Sequence, residues 1–246
     1  QGCADEDYRR KLEKAYPIHP ELFDQLYTSW GSLEKFQRTR GVLRLMAQAI
    51  HELWMNADPS VMIMPGSVAV SSPRVEPELL HYLDVSWQSI IAGDVDGTAS
   101  TPYKVDQSAP NLNRYSATRR VARAIFMGTA PTHQQQNTGL DDKQINLGVV
   151  QPGERPAIFG DALRRLTNQA KFMHADLGRY WYSMSASLNR IAADKAAQIE
   201  AALVDVTIDA ELGKYVNGLA DRGHFDAFAR GQRGERRAGL VGRSPR

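Results

Sequence analysis

Apolar residues recur at helical spacing along most of the chain, and the breaks between these runs carry proline, glycine or a capping residue. Residues 5–15 are charged and helical in pattern. In YPIHPELFDQLYTSW, Pro20 suits the first turn of a helix, where its missing N–H is unpaired anyway. Leu22, Phe23, Leu26, Tyr27 and Trp30 then share one face, and Gly31 closes the segment. Ser32 is placed to cap a second helix over about 33–55, with Leu33, Phe36, Leu43, Met46, Ile50 and Leu53 as its apolar positions. SVMIMPGSVAVSS is short and apolar, either a strand or a packed extended loop. PELLHYLDVSWQSIIAG reads as another amphipathic helix.

Residues 93–117 are rich in Gly, Pro, Ser, Asp and Asn and predict a long loop, with a junction between subdomains at that point. Helical patterns resume at 118–128, near 140–147 and at 157–170. KFMHADLGRYWYSM then holds two apolar, aromatic runs around Asp176 and Gly178, which predicts a β-hairpin. Three helices followed by a hairpin is the order of a winged helix. A long helix starting at a Ser cap follows, SLNRIAADKAAQIEAALVDV. The expected fold is mainly α: a helical lid-like subdomain over 1–95, a linker over 96–117, and a winged-helix-like subdomain with a small β-hairpin and long C-terminal helix over 118–228. Residues 229–246 are expected to be a disordered basic tail.

Charge sharpens this division. Of 30 Lys and Arg and 28 Asp and Glu, six Arg and one Glu lie in 229–246. The other 228 residues hold 24 cations and 27 anions, so the body is slightly acidic and gives no global electrostatic case for nucleic-acid binding. No apolar run approaches the roughly 18 residues that span a bilayer, so no membrane partner is expected. The single cysteine, Cys3, permits no intrachain disulfide, which fits a cytoplasmic location. The opening QGCADEDYRRKLEKAY has neither the cationic start nor the apolar core of a signal peptide, and reads as part of something longer.

Two motifs invite a catalytic reading. GDVDGT (93–98) matches the D-x-D-G-T of haloacid-dehalogenase phosphatases, which place that motif after a buried strand in a Rossmann-like sheet. Here the preceding residues are helical in pattern, and a bland Asp/Gly loop is expected instead. HELWM (51–55) begins like a zincin helix, but Met55 stands where the second histidine ligand belongs. The six histidines show no ligand spacing, and neither a phosphate loop nor a Ser or Cys nucleophile signature is present. No metal site is expected. Asp141-Asp142 and Arg164-Arg165 sit at helix ends or on polar faces, and a solvated face is expected for each. In the cluster Tyr180, Trp181, Tyr182, Trp181 is expected to pack into the core rather than stack on bases.

The strings AYPIHPELFDQLY, LEKFQRTRGVLRLMAQAIHELW, VMIMPGSV, DVDG, NRYSATRRVARAIFMGTAP, INLGVVQPGE and RYWYSMSASLNRIAADKAAQ occur in that order. Together they closely resemble the domain-of-unknown-function family 499 of prokaryotic AAA+-like P-loop ATPases, over roughly residues 8–228. The resemblance implies a C-terminal fragment: the helical lid that follows an ATPase core, then a winged helix. The phosphate loop and its acidic partner would lie upstream, so ATP and Mg would be bound only through that half and neither by this chain alone. It also implies a setting in DNA modification or antiphage defence, with the upstream ATPase core and a DNA methyltransferase as partners. The sequence after Phe228 departs from the family pattern and is expected to be a truncated or frame-shifted end or a disordered tail.

That resemblance gives KFQRTRGVLRLM (35–46) a role. AAA+-type lids place an arginine on the γ-phosphate, where its planar fork suits phosphate oxygens. Arg38 and Arg40 are the candidates, Arg40 first because Gly41 leaves the backbone room. Alternatively both cap helix ends or pair with Glu34. His19, between Pro17 and Pro20, shapes a hinge or is structural. For the alternative of a DNA- or protein-binding module, Arg164, Arg165, Lys171 and Arg179 are the cations available to touch DNA.

Overall fold

Caps and close approaches decide where the helices begin. The computed structural model describes residues 6–133, 139–198 and 206–211. Helix α1 (Glu6–Ala15) precedes α2 (Pro20–Thr28), which starts at Pro20 as its sequence predicts. His19 caps α2: its Nδ1 accepts the Glu21 backbone N–H at 3.2 Å, and its Nε2 lies 3.2 Å from the Tyr8 hydroxyl. Leu22, Leu26 and Trp30 are buried as expected, whereas Tyr27 is exposed.

The next helix departs from expectation. α3 spans Thr39–Met55 and does not start at Leu33. The Ser32 hydroxyl turns back to the Ser29 carbonyl (2.7 Å), and Gln37 and Arg38 take positive φ of 50° and 39°. This left-handed kink lets Phe36 fold onto α3. A Cβ on Gly41 would sit 2.1 Å from the Phe36 carbonyl oxygen, so the room at Gly41 is filled by Phe36. The kink also sets the helix phase. Val42, Leu45, Met46 and Ala49 face the core, while Leu43 and Ile50, expected inside, are exposed.

SVMIMPGSVAVSS is a packed extended segment. Ile63 bridges Ile18 in parallel, and Met64, Val68 and Val70 are buried. The helix expected over 77–93 is broken into α4 (Val75–Leu80), α5 (Trp87–Ile90) and a wide π-helical turn at Ile91–Val95.

The expected linker over 96–117 is instead two short helices, α6 (Thr101–Ser108) and α7 (Pro110–Asn113). Its proline and serine residues start helices. Ser100 caps α6 with Pro102 in the first turn, and Pro110 opens α7. Val105 and Leu112 point into the core.

Helix α8 (Ala117–Thr129) is the central element. Ten of its 13 residues are buried. Asp106, itself buried, caps it from α6 by accepting the backbone N–H groups of Thr118 (2.8 Å) and Arg119 (3.2 Å). Burial pushes the Asp106 carboxyl above the usual carboxylate range, while those two N–H groups pull it back. Trp30 donates its indole N–H to the Met127 carbonyl at 2.8 Å, and Trp87 meets Phe126 edge to face.

After α8 come β1 (Leu140–Asp141), α9 (Asp142–Val149), α10 (Pro156–Gln169), β2 (Met173–Asp176), β3 (Arg179–Tyr182) and α11 (Leu188–Gln198). The predicted hairpin is present, turning at Leu177-Gly178 with both φ positive. β1 adds a third antiparallel strand, which the sequence reading did not anticipate, giving the order β1-β3-β2. Tyr182 rather than Trp181 is the core residue of the hairpin. The period of two sends Tyr182 inward, and Trp181 lies on the other face, stacked on His174. Asp141 sits at a helix end rather than on a solvated face: with Gln144 it forms the capping box of α9 (2.8 and 3.0 Å).

One hydrophobic core runs from Leu22 through Trp30, Trp87 and Phe126 to Tyr182. The chain divides into the units Gln1–Ile191 and Ala192–Arg246. The basic stretch 229–246 lies outside the described residues. No helix among the described residues is long and apolar enough to cross a membrane.

Burial holds the His19 imidazole below its ordinary value of 6.5. Only the neutral ring can accept the Glu21 N–H. A lowered folded-state pKa means that the unfolded chain takes up the proton first. The cap's stabilisation is therefore present above pH 6.5 and is lost as pH falls through the lowered value. Thermal unfolding from pH 8 to 5 should show this acid loss. His19→Asn, which keeps a capping oxygen, should flatten the profile, and His19→Ala should lower stability by about 1 kcal/mol at pH 8.

Candidate functional site: two arginine clusters

The D-x-D-G segment leaves the wide turn at Ile91–Val95 and reaches two distant parts of the chain. Asp94 is buried. Its Oδ2 accepts the backbone N–H groups of Lys171 and Phe172, each at 2.6 Å, and its Oδ1 accepts the Thr101 hydroxyl at 3.0 Å. Its backbone carbonyl accepts the Tyr182 hydroxyl at 2.7 Å, and burial drives that phenol well above its usual pKa. Asp94 therefore pins the start of the hairpin.

Asp96, only 1% exposed, faces the opposite way. Its Oδ1 meets Arg119 Nη2 at 2.9 Å and Arg123 Nη2 at 2.6 Å, two arginines one turn apart on α8. Its Oδ2 accepts the Ser71 N–H (3.2 Å), and its carbonyl accepts the Ser71 hydroxyl (2.9 Å). A Cβ on Gly97 would lie 2.1 Å from the Ala92 carbonyl oxygen, so only glycine fits. Both carboxylates are thus saturated by backbone N–H groups, a hydroxyl and guanidinium groups. The described residues contain a three-stranded antiparallel sheet in place of the parallel sheet a phosphatase motif requires. The segment is a structural staple.

Beside the staple lies a polar cavity of about 760 Å³, lined by Arg119, Arg120, Arg123, Arg114, Ser116 and Glu154 among others. Arg120 is held by both Glu154 oxygens (2.8 and 3.0 Å) and by the Val149 carbonyl. Three of the four arginines are therefore already matched with carboxylates. Sequence reasoning missed this cluster. Its signal was the i, i+4 pair Arg119 and Arg123, with Arg120 between them, on a helix that is otherwise mostly apolar, a place where cations must find partners.

The second cluster contains Arg40, the first of the two arginines the sequence points to. Lys35, Gln37, Arg40, Arg44, His81 and Tyr82 line a cavity of about 220 Å³. One side is fixed. Arg44 Nη2 donates to Glu78 Oε2 at 2.9 Å, and the Tyr82 hydroxyl donates to Glu78 Oε1 at 2.5 Å. Burial and the Glu78 carboxylate push the Tyr82 phenol up to about 12. Arg40 and Lys35, by contrast, are exposed and make no ion pair with any described residue. Arg38 is also exposed and unpaired with Glu34, but it is not among the residues around this cavity. No group of three or more His, Cys, Asp or Glu side chains converges as a metal site among the described residues.

Each of the four cations considered for DNA makes a contact within the chain. Arg164 and Arg165 on α10 both pair with Asp161, Arg165 at 3.0 Å. Arg179 donates to the Gly139 carbonyl at 3.0 Å, and the Lys171 ammonium lies over the Phe172 ring.

Residues 3–182 match the family model described as DUF499 second domain, and the chain belongs to the DUF499 family. No curated protein and no solved structure matches it.

Asp96→Asn should lower stability by about 3–5 kcal/mol, because two partly buried guanidinium groups lose their counter-charge. Gly97→Ala should be comparably damaging through the clash with Ala92. Urea unfolding at pH 7 measures both.

Proposed function

We propose that this chain is the helical regulatory part of a P-loop ATPase, a lid followed by a winged helix, which supplies an arginine to ATP held by an upstream core. Arg40 is the principal candidate, with Arg38 beside it in sequence. ATP and Mg are bound by the upstream core, and this chain alone does not turn ATP over. The observation that carries the reading is the contrast within one cavity rim. Arg44 is locked to Glu78, while its neighbour one turn back, Arg40, is exposed and unpaired among the described residues. A guanidinium held on a rigid helix without a counter-ion suits the developing charge of a transferred phosphoryl group. The matched model describes a second domain, which supports a companion domain in the same protein.

The order helix, strand, helix, helix, hairpin, with strands arranged β1-β3-β2, supports the winged-helix reading of the later half. The body of the chain is slightly acidic, which favours a protein-contact role for this half over DNA binding. By its resemblance, the setting is DNA modification or antiphage defence, with a DNA methyltransferase as the protein partner.

Steady-state ATP hydrolysis by the full-length protein tests the proposal. Arg40→Ala should lower kcat about a hundredfold or more while nucleotide binding persists, and Arg40→Lys should restore little of it. The isolated chain should show no turnover. Normal rates in both Arg38→Ala and Arg40→Ala, or hydrolysis by the isolated chain, would overturn it.

A further inference from the structure

Helix α3 carries two apolar stripes, and the fold buries one of them. Val42, Leu45, Met46 and Ala49 enter the core. Leu43, Ala47, Ile50 and Trp54 repeat at i, i+4, i+7 and i+11, and all four are exposed: Leu43 66%, Ile50 44% and Trp54 83%. At 100° per residue these four fall within an arc of about 60° and extend about 16 Å along the axis. This is the geometry of a helix–helix seam, narrower than the apolar face an interfacial membrane helix presents. Met55, also largely exposed, continues the apolar surface at the C-terminal end.

Charge indicates what covers the stripe. One edge adjoins the buried stripe. The other edge is formed by Arg40, Arg44 and His51, with Lys35 just upstream of the helix. Glu78, the carboxylate paired on this edge, is taken by Arg44 and Tyr82, and Lys35 and Arg40 have no ion-pair partner among the described residues. A second copy fits poorly. In an antiparallel pair of identical helices like edges meet with their ends reversed, so the edge of Arg40, Arg44 and His51 would lie against its own copy, with no carboxylate from α3 on it to offset the cations.

We infer that the exposed stripe of α3 is a docking surface for a partner's amphipathic helix of three or more turns, with carboxylates flanking its apolar seam. The inference does not rest on the ATPase reading, because it uses Leu43, Ile50 and Trp54 and requires no nucleotide.

The test titrates the full chain with a three-heptad synthetic peptide carrying Leu at a and d and Glu at e and g. The control is the same peptide with Lys at e and g. Saturable binding of the acidic peptide is expected, at least tenfold tighter than the basic one and weakened by salt. Amide protection should appear on 43–55 of the unmodified protein, so the footprint does not depend on any variant's folding. Ile50→Ser with Trp54→Ser should weaken binding at least tenfold with an unchanged melting temperature. Equal binding of both peptides, or protection elsewhere than α3, would overturn the inference. So would binding to phosphatidylserine vesicles in place of the acidic peptide, or self-association through α3 that excludes it.

Discussion

The burial of α8 constrains everything around it. A helix enclosed on nearly all sides must satisfy its ends and its charges largely from other elements, because little water reaches them. Its N-terminal N–H groups go to Asp106, and Met127 near its other end accepts the Trp30 indole. Arg119 and Arg123 meet Asp96, and Arg120 meets Glu154. Each partner comes from a different stretch of chain, so once α8 is placed, the loop at 94–97, helix α6 and the 150s segment have one arrangement open to them. The D-x-D-G staple extends this order outward: Asp96 holds α8, and Asp94, two residues earlier, holds the hairpin.

Whatever announces itself locally was legible in the sequence. Pro20, Pro156 and the Leu177-Gly178 turn are backbone devices, and the elements they start or end lie where the pattern predicts. Errors arose where one composition serves two purposes. Proline and serine over 96–117 read as loop markers, yet the same residues open helices when apolar Val105 and Leu112 follow and can be buried. The start of α3 was misplaced because its phase depends on Phe36 folding back onto Gly41, a tertiary contact. The expectation of Trp181 in the core fails because the inward face of a hairpin depends on the helix behind it. The partners of Asp94 and Asp96 lie up to 78 residues away, and no spacing rule reveals them.

The two arginine clusters divide along the same line. Arginines on α8 are fixed by the carboxylates that their burial demands, so they belong to the scaffold. Those at the start of α3 stand where solvent already satisfies them, and no such demand exists. An arginine without a structural obligation on a rigid helix is available for a ligand or a partner. The same helix leaves Leu43, Ile50 and Trp54 uncovered, so α3 carries both the candidate arginine and the candidate docking seam.

Native-state hydrogen exchange tests the central place of α8 most directly. The account predicts that the amides from Val121 to Thr129 exchange slowest of all, through the same global opening as those of β3, while α1 and the exposed face of α3 open at lower free energy. Exchange in α8 as fast as in α1, or through a separate local opening, would contradict it.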